Sequence, residues 1–438
     1  MTLTTPITVV RGRFLDIQKT VSQAQDIIDQ VRYIEDGVLI AKQGQIRWFG
    51  SWDDAQAHLP ANVEIQHYPE QLIIPGMIDT HIHFPQTEMV GAYGEQLLSW
   101  LNTYTFPTEI QFQDPSYAQK IAEFFIQELL KNGTTTALVF CTVHPESVDA
   151  LFEAAAQQQM RLIAGKVMMD RHAPEALCDT AESAYEDSKA LIGKWHGQGR
   201  ALYAITPRFA PTSTPEQLER AGQLKAEFPD VYVHTHLSEN KDEIAWVKDL
   251  FPEQKGYLDV YHHYGLTGNR SVFAHCVHLE DAEWQCMHET DSAIAFCPTS
   301  NLFLGSGLFP LKKTWQQQVK VGLGTDIGAG TSFSLLQTVN EAYKVQQLQG
   351  DKLSAFESLY HATLGGAKAL DLDNKLGNFN VGKEADFVVL NLKPTVLQQL
   401  RQSRAKSLED SLFALFTMGD DRNIEATYIY GQKAYSQS

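Results

Sequence analysis

Between residues 75 and 330, short apolar runs alternate with segments of helical pattern. Eight of these runs are candidate strands: residues 73–78, 135–140, 162–168, 201–206, 231–235, 271–274, 293–296 and 319–324. This alternation is typical of repeated βα units, whose strands lie parallel in one sheet. Eight units predict an α/β fold of the TIM type, a closed (β/α)8 barrel.

The best defined helix of this alternation covers residues 117–131. Its apolar side chains recur at the spacing of one helical face: Ile121, Phe124, Phe125 and Leu129. Asn132 and Gly133 then form a natural C-terminal stop, and a β-branched strand begins at Thr134. This helix, followed directly by a strand, supports the barrel independently of the count of eight strands.

Both ends of the chain differ from this central region. Residues 7–70 and 376–438 contain short β-like stretches that are broken by glycines. No long linker separates either end from the centre, so we expect the two ends to pair into one small β-sandwich. The expected domains are residues 1–70 for the N-terminal part of the sandwich, 71–375 for the barrel and 376–438 for the C-terminal part.

Composition disfavours several partners and locations. The formal net charge is -18 at pH 7, whereas binding to nucleic acid or an anionic membrane requires a concentrated positive field. The chain contains no run of about 18 apolar residues, and its N-terminus lacks the features of a secretory signal. Five cysteines without a close CxxC pair indicate reduced thiols. We therefore expect a cytoplasmic protein.

An apolar run that begins at Pro75 leads into His81-Ile82-His83 and then a polar loop. Side chains at positions i and i+2 point to the same side of a strand, so both imidazoles can reach one ion. A single histidine at this place would more often be a packed core ring. The pair, together with further candidate ligands after later strands, predicts a metal site.

Polar residues also stand where the later strands end, at the face of a (β/α)8 barrel that carries catalytic groups. They are Arg208, His234, His236, His275 and Asp326, and the aromatic Phe209 follows Arg208. Three nitrogen ligands and one oxygen ligand suit zinc or ferrous iron, with one position open for water. His234 and His236 share a face of their strand, and spacing alone does not choose between them.

Each of these residues also has an ordinary structural explanation. His236 could be a structural hydrogen-bonding group, and His275 could be a packed core ring. Asp326 could cap the next helix, and Glu239, three residues after His236, could be a surface charge. We favour functional roles because the strand ends of a barrel converge on one mouth.

Three motifs resemble those of the amidohydrolase superfamily: residues 75–83, 324–326 and 382–387. More narrowly, residues 83–86, 100–107, 207–210 and 236–240 look like motifs of the guanine deaminases in that superfamily. The resemblance extends over nearly the whole chain, and the narrower motifs are specific. It implies hydrolysis of guanine to xanthine and ammonia by a metal-activated water, carried out by a homodimer.

The resemblance also implies a role for each matching residue. One zinc ion per subunit, or a ferrous ion, would be held by His81, His83, His236 and Asp326. Glu239 would move protons between the water and the ring, Asp326 would help to deprotonate the metal-bound water, and His275 would orient that water. Attack on an amidine carbon needs such proton transfers, first to the ring nitrogen and later to the leaving amine.

Recognition of the purine is implied for residues of the same motifs. Gln86, Arg208 and Phe209 would bind the base, with Arg208 donating to a ring acceptor and Phe209 stacking. His236 and Glu239 would also contact the substrate.

Two absences narrow the reaction class further. Two-metal members of the superfamily use a modified lysine at the fourth strand, and here Lys166 belongs to the third apolar run instead, so one metal is predicted.

The other zinc deaminase architecture combines H-x-E with P-C-x-x-C. His144 and Glu146 match its first half, but the chain contains no CxxC.

Two competing functions stay open. The first keeps the fold and changes the substrate to another aminated heterocycle, such as a triazine, cytosine or an adenosine derivative, which a deaminase or dechlorinase would act on. The second is a non-catalytic scaffold, for which damaged metal ligands would be expected. All candidate ligands are present in the chain. Metal analysis separates a metal-dependent enzyme from a non-catalytic scaffold.

Overall fold

The computed structural model of the protein describes residues 7–93 and 97–437. Its strands are β1 (Ile7–Ile17), β2 (Val31–Lys42), β3 (Gln45–Ser51), β4 (Ile65–Pro75), β5 (Met77–His83), β6 (Thr134–Phe140), β7 (Arg161–Gly165), β8 (Val167–Met168), β9 (Ala201–Pro207), β10 (Tyr232–Leu237), β11 (Ser271–His275), β12 (Ala293–Phe296), β13 (Lys320–Leu323), β14 (Phe387–Leu390), β15 (Ile424–Ile429) and β16 (Gln432–Ser436). Among the described residues, no helix combines the length and apolarity needed to span a membrane.

The α-helices of the same residues are α1 (Trp52–Ala55), α2 (Leu97–Trp100), α3 (Phe106–Glu109), α4 (Pro115–Lys131), α5 (Pro145–Gln157), α6 (Ala181–Trp195), α7 (Pro215–Glu227), α8 (Lys241–Leu250), α9 (Tyr257–His263), α10 (Asp281–Glu289), α11 (Pro298–Phe303), α12 (Leu311–Gln317), α13 (Leu335–Leu348), α14 (Ala355–Ala362), α15 (Leu364–Ala369), α16 (Val396–Gln402) and α17 (Leu408–Met418). A π-helical turn, Leu101–Thr105, joins α2 to α3. Short 3₁₀ turns are Ala24–Gln30, Phe84–Met89, Ile110–Gln113, Glu175–Leu177, Ala210–Thr212 and Asp421–Asn423.

Eight strand positions form a parallel barrel in the order β5, β6, β7, β9, β10, β11, β12 and β13. The third position is interrupted at Lys166, after which β8 also pairs with β9. A helix follows nearly every strand, as parallel connections require. The (β/α)8 barrel expected from the alternation of apolar runs is confirmed.

The barrel closes where β13 meets β5. Thr80 Oγ1 donates a hydrogen bond to Leu323 O at 2.9 Å, and Asp326 N donates to His81 O at the same distance. Gly322 permits this approach, because a Cβ there would lie 2.4 Å from Thr80 Cγ2. The closure therefore places Asp326 next to His81, although the two are far apart in the chain.

An apolar layer fills the amino-terminal end of the barrel. Inward-facing side chains from several strands pack there with α15: Ile78, Leu138, Ile163, Tyr232 and Val272. Along β10, Tyr232, His234 and His236 alternate onto one side of the strand. The interior thus changes from apolar to polar towards the carboxyl ends of the strands, where the catalytic face of such a barrel lies.

The two ends of the chain meet in one mixed sheet beside the barrel. Its strand order is β16, β15, β14, β4, β1, β2 and β3. In its centre, β4 is parallel to β1 and antiparallel to β14. The expected small β domain of both termini is therefore present. Because β4 continues to Pro75, the sheet extends past residue 70, and the exact domain limits stay a prediction.

Buried ion pairs join this sheet to the barrel. Arg200, just before β9, pairs with Glu384 Oε2 at 2.6 Å and with Asp386. Arg161, at the start of β7, donates from Nε to the same Glu384 carboxylate at 2.9 Å. The motif of residues 382–387 therefore has a structural role, since its two acidic side chains hold the barrel and the terminal sheet together.

Two local predictions were wrong. The apolar run 73–78 is not one strand, because β4 ends at Pro75 in the terminal sheet and the barrel strand β5 begins only at Met77; Gly76 N between them donates to Asp386 O at 2.9 Å. Phe124 on α4 does not face the barrel and is 52% exposed. The buried stripe follows the i, i+4 row of the helix, and Phe124 lies at its edge.

Candidate metal centre and active site

Three histidine rings converge at the carboxyl end of the barrel. His81 and His83 lie at the end of β5, and His236 lies near the end of β10; all three are buried. One nitrogen from each ring lies within 4.8 Å of the others. The Nε2 atoms of His83 and His236 are 3.2 Å apart. The i,i+2 pair of β5 therefore directs both rings towards a ring from a distant strand.

Burial keeps these imidazoles neutral. It lowers the pKa of His83 to about 3 and holds the pKa of His236 well below its ordinary value. We assign the proton of His236 to Nδ1, because Arg208 O, which can only accept, lies 2.7 Å from that atom. The Nε2 lone pair of His236 is then free on the side of the other rings. A neutral ring with a free lone pair is the form that binds a metal.

Asp326 adds a carboxylate to the three rings. Its Oδ1 lies 3.1 Å from His81 Nε2 and 3.3 Å from His83 Nε2. It does not cap the next helix, because α13 begins at Leu335. Its backbone adopts a left-handed φ of 52°, a conformation that costs on the order of 1–3 kcal/mol and is typical of functional sites.

The donor atoms of this cluster fit a divalent cation. His81 Nε2 is fully buried and has no hydrogen bond of acceptable geometry among the described residues, although Asp326 is near. An unsatisfied buried nitrogen of this kind is costly unless another group binds it. Three imidazole nitrogens and one carboxylate oxygen form a donor set that zinc and ferrous iron both accept.

His234 lies behind His81 and outside the cluster. Its Nε2 is 2.8 Å from His81 Nδ1, the ring atom opposite the one that faces Asp326. We assign the proton between the two rings to His81 Nδ1, which then donates to His234 Nε2 and leaves a lone pair on His81 Nε2. The spacing of His234 and His236 left both as candidates, and the fold places His236 in the cluster.

Glu239 and His275 lie beside the cluster. His275 Nε2 is 3.5 Å from Glu239 Oε2 and 3.8 Å from Asp326 Oδ2, while its Nδ1 is 2.9 Å from Asn301 Oδ1. Ser306 Oγ donates to Glu239 Oε1 at 3.1 Å. Burial, and then the charge of Asp326, raise the pKa of Glu239 to about 8. Glu239 is therefore a buried carboxyl that can hold or release a proton near neutral pH.

Backbone hydrogen bonds hold the loop that carries Glu239, and His275 ends its strand in an unusual backbone conformation. The N–H groups of Glu239 and Asn240 donate to Glu243 Oε2 at 3.0 and 3.1 Å, so the loop after β10 is tied to the first turn of α8. His275 ends β11 with a left-handed φ of 72°. Both side chains thus follow strand ends, as the sequence predicted, and neither is a surface group.

A concave cavity opens onto the cluster. Its wall contains Gln86, Arg208 and Phe209, which are expected to recognise a purine and are at most 5% exposed, together with His236, which is also expected to contact the base. Glu239 and His275 line the same cavity. Concave, partly apolar cavities with a few convergent polar groups are typical of small-molecule sites.

Sequence reasoning missed a buried carboxylate that contacts two residues of this wall. Glu109, the last residue of α3, accepts two hydrogen bonds from Arg208 Nη1, at 3.0 and 2.7 Å. It also accepts one from Gln86 Nε2 at 3.1 Å. Glu109 lies two residues beyond the motif of residues 100–107, which was the available signal. Asn301 and Ser306 were also missed, because no local pattern distinguishes them.

Comparison with known proteins agrees with this geometry. Residues 72–434 match the amidohydrolase family. The chain belongs to the amidohydrolase family. The guanine deaminase of Escherichia coli (strain K12) is 62% identical to it over 429 residues, which cover 98% of both chains. The family resemblance found in the motifs is therefore confirmed.

Two solved structures extend the comparison. That of the E. coli guanine deaminase has a TM-score of 0.96 at 60% identity and covers 99% of this chain and 100% of its own. A guanine deaminase from C. acetobutylicum with guanine bound in its active site has a TM-score of 0.88 at 31% identity, covering 98% of this chain and 100% of its own. This amidohydrolase therefore shares its complete fold with both.

Lys166 of this amidohydrolase does not take part in the cluster. Its Nζ pairs with Asp179 Oδ2 at 2.5 Å, and the side chain is buried at the third strand position. The fourth position, β9, ends at Pro207 and contains no lysine. The prediction of a single metal ion rests on this arrangement and stays a prediction.

Proposed function

We propose that this amidohydrolase hydrolyses guanine to xanthine and ammonia. The observation that carries the proposal is the position of Glu239, a buried proton carrier that shares one cavity with the histidine cluster and with Arg208. Hydrolytic deamination needs these three elements together. The guanine deaminases at 62% and 31% identity support the same substrate.

His81, His83, His236 and Asp326 would hold one divalent cation, which we propose to be zinc, with ferrous iron as the alternative. When bound, such a cation lowers the pKa of a water ligand and makes it nucleophilic near neutral pH. Oδ1 of Asp326 faces His81 and His83, whereas its Oδ2 lies 3.8 Å from His275 Nε2. Asp326 can therefore ligate through one oxygen and accept a water proton on the other.

Glu239 acts as both acid and base in the proposed reaction. A bond forms between a water oxygen and C2 of guanine, while Glu239 passes one water proton to N3 and the C2–N3 double bond becomes single. The remaining proton of the added water moves from its oxygen to the 2-amino group. The bond between C2 and this group then breaks, ammonia leaves, and C2 becomes a carbonyl carbon of xanthine. A pKa of about 8 suits both directions of transfer. His275 orients the water, since its Nε2 lies near Glu239 and Asp326.

Gln86, Arg208 and Phe209 would recognise the base. Arg208 presents N–H donors to a ring acceptor, and Phe209 offers an aromatic face for stacking. These side chains are buried, so a base that leaves them unpaired would bind poorly.

Ammonia release by the purified protein tests the substrate. We expect kcat/KM to be highest for guanine among guanine, adenine, cytosine and triazines, with xanthine as the product. A higher value for any of the others would reject the proposal and favour the competing deaminase or dechlorinase of another heterocycle. That alternative is less well supported, because the relative at 62% identity is a guanine deaminase.

Metal analysis of the same preparation tests the catalytic class. We expect one zinc ion per chain, loss of activity after treatment with a chelator, and recovery when zinc is added. A folded protein that contains no metal and cannot acquire any would favour the non-catalytic scaffold instead.

Assembly and location belong to the same proposal. We propose a cytoplasmic homodimer, as the resemblance to guanine deaminases implies. Its substrate partner is the small purine rather than nucleic acid or a membrane, because the net charge of -18 disfavours both of these. Light scattering should then give twice the chain mass of 49.1 kDa. The mass of a single chain would reject the dimer without affecting the proposed reaction.

A further inference from the structure

Glu109 is a buried anion that contacts two of the purine-binding side chains. It is 1% exposed, and both of its oxygens accept hydrogen bonds from Arg208 Nη1. Its Oε1 also accepts from Gln86 Nε2. The ring of Phe106, on the same short helix, lies 5.6 Å from Arg208 Cζ. One helix therefore fixes the guanidinium by charge, hydrogen bonding and ring contact.

These contacts decide which atoms of Arg208 are left for a ligand. Among the described residues, the hydrogen bonds of its guanidinium all involve Nη1 and Glu109. Nε and Nη2 stay as donors, and arginine has no acceptor to offer. Arg208 lines the cavity beside the metal site, so this part of the wall can donate hydrogen bonds to a ligand but cannot accept them.

The same carboxylate fixes the amide of Gln86. A carboxylate only accepts, so the amide nitrogen of Gln86 must face Glu109 and the amide oxygen must point elsewhere. That oxygen packs against Gly328, where a Cβ would lie 1.9 Å from it, and Gln86 itself lines the cavity. The amide atom of Gln86 that Glu109 leaves for a ligand is therefore an acceptor, whereas the guanidinium next to it offers donors.

We propose that Glu109 is a positioning residue that sets purine specificity through Arg208 and Gln86. A donor beside an acceptor matches a lactam edge, in which a ring carbonyl accepts and the adjacent ring N–H donates. Guanine carries this edge at C6 and N1. 2,6-Diaminopurine has the same 2-amino group, but its 6-amino group donates and its N1 accepts. Two donors would then meet at position 6, where Arg208 faces the 6-amino group, and two acceptors would meet at N1, where Gln86 faces a ring nitrogen without a proton. 2,6-Diaminopurine should therefore bind poorly. This inference rests on the proposed guanine deamination.

The test compares guanine with 2,6-diaminopurine in the Glu109→Gln variant. The new amide can donate as well as accept, so Gln86 can rotate and Arg208 loses its counter-charge. We expect KM for guanine to rise about tenfold or more with a smaller change in kcat, as for loss of binding energy. We also expect the preference for guanine in kcat/KM to fall about tenfold or more. Glu123→Gln, an exposed change on α4, should leave both values unaltered.

Glu109→Asp serves as the conservative variant. It keeps an acceptor-only carboxylate and should retain the preference for guanine that Glu109→Gln loses. If Glu109→Gln does not fold because Arg208 is left as an unpaired buried charge, the double variant Glu109→Gln with Arg208→Met removes that charge. Compared with Arg208→Met alone, the double variant should lose further preference for guanine, because Gln86 is then free to rotate.

Two results separate this inference from the proposed function. If the unchanged protein does not deaminate guanine, the proposed function fails. If it does, but Glu109→Gln lowers activity on both purines by the same factor, only the role of Glu109 in specificity is overturned. An equal preference for guanine in Arg208→Met and in the double variant would also overturn it.

Discussion

His234 Nε2 lies 2.8 Å from His81 Nδ1, and Asp326 lies 3.1 Å from Nε2 on the other side of the same ring. The His81 ring is thus held from behind by a second buried imidazole. Such partners orient a metal-binding histidine and fix its tautomer.

Replacement of His234 by alanine should weaken metal binding by about 10-fold to 100-fold, because His81 loses the acceptor that fixes its tautomer. Competition with a coloured chelator measures the affinity for zinc. His234→Gln, which can still accept through its amide oxygen, should keep most of it. His263→Ala changes an exposed histidine and is the control. Unchanged affinity in His234→Ala would show that His81 needs no such partner.

Glu239→Gln should lower kcat by about 100-fold to 10,000-fold, since an amide cannot carry the proton between water and ring. Zinc content should change little, because Glu239 is not among the proposed metal ligands. Equilibrium binding of guanine should also change little, because the glutamine amide can still form a hydrogen bond to the base. Steady-state kinetics and equilibrium dialysis measure the two effects. Glu253→Gln, an exposed change, is the matched control. Full turnover in Glu239→Gln would remove Glu239 from the mechanism.

Arg200→Met should lower the free energy of unfolding by about 3–5 kcal/mol, because it leaves the buried carboxylate of Asp386 without its cationic partner and leaves Glu384 with Arg161 alone. Urea denaturation measures the loss. Arg220→Met removes an exposed pair with Glu182 and should cost at most about 1 kcal/mol. Equal losses in the two variants would mean that the pairs between barrel and terminal sheet do not stabilise the fold.

The free energy of unfolding should depend on pH through Lys225. Burial, and then the charge of Arg270, lower the pKa of Lys225 to about 8 from its ordinary 10.5, while Asp230 opposes the shift. Between these values the unfolded chain binds more protons than the folded one, so this group makes stability rise with pH from 8 to 10.5. Because Lys225 is partly exposed, the rise should be on the order of 1 kcal/mol. Urea titrations of Lys225→Met should lack this rise, and an identical pH profile would contradict the prediction.

Much of the site could be predicted from the sequence because its signals are local. The His81 and His83 pair follows from the two-residue period of a strand, and Asp326 follows an apolar run that ends in glycine. The same locality caused the error at residues 73–78, since an apolar run does not show that Gly76 divides it between two sheets. The bond from Gly76 to Asp386, which belongs to the other end of the chain, makes that division.

The sequence by itself determined the order of the βα units and the kinds of side chain that each strand end offers, because periodicity and spacing depend only on neighbouring residues. Spacing did not choose between His234 and His236, although the resemblance named His236 as the ligand. Tertiary structure alone decided that His234 stands behind His81 and that Glu109 meets Arg208. The physical reason is that these contacts depend on how a closed barrel aligns distant strands, and on which buried polar groups must then satisfy one another.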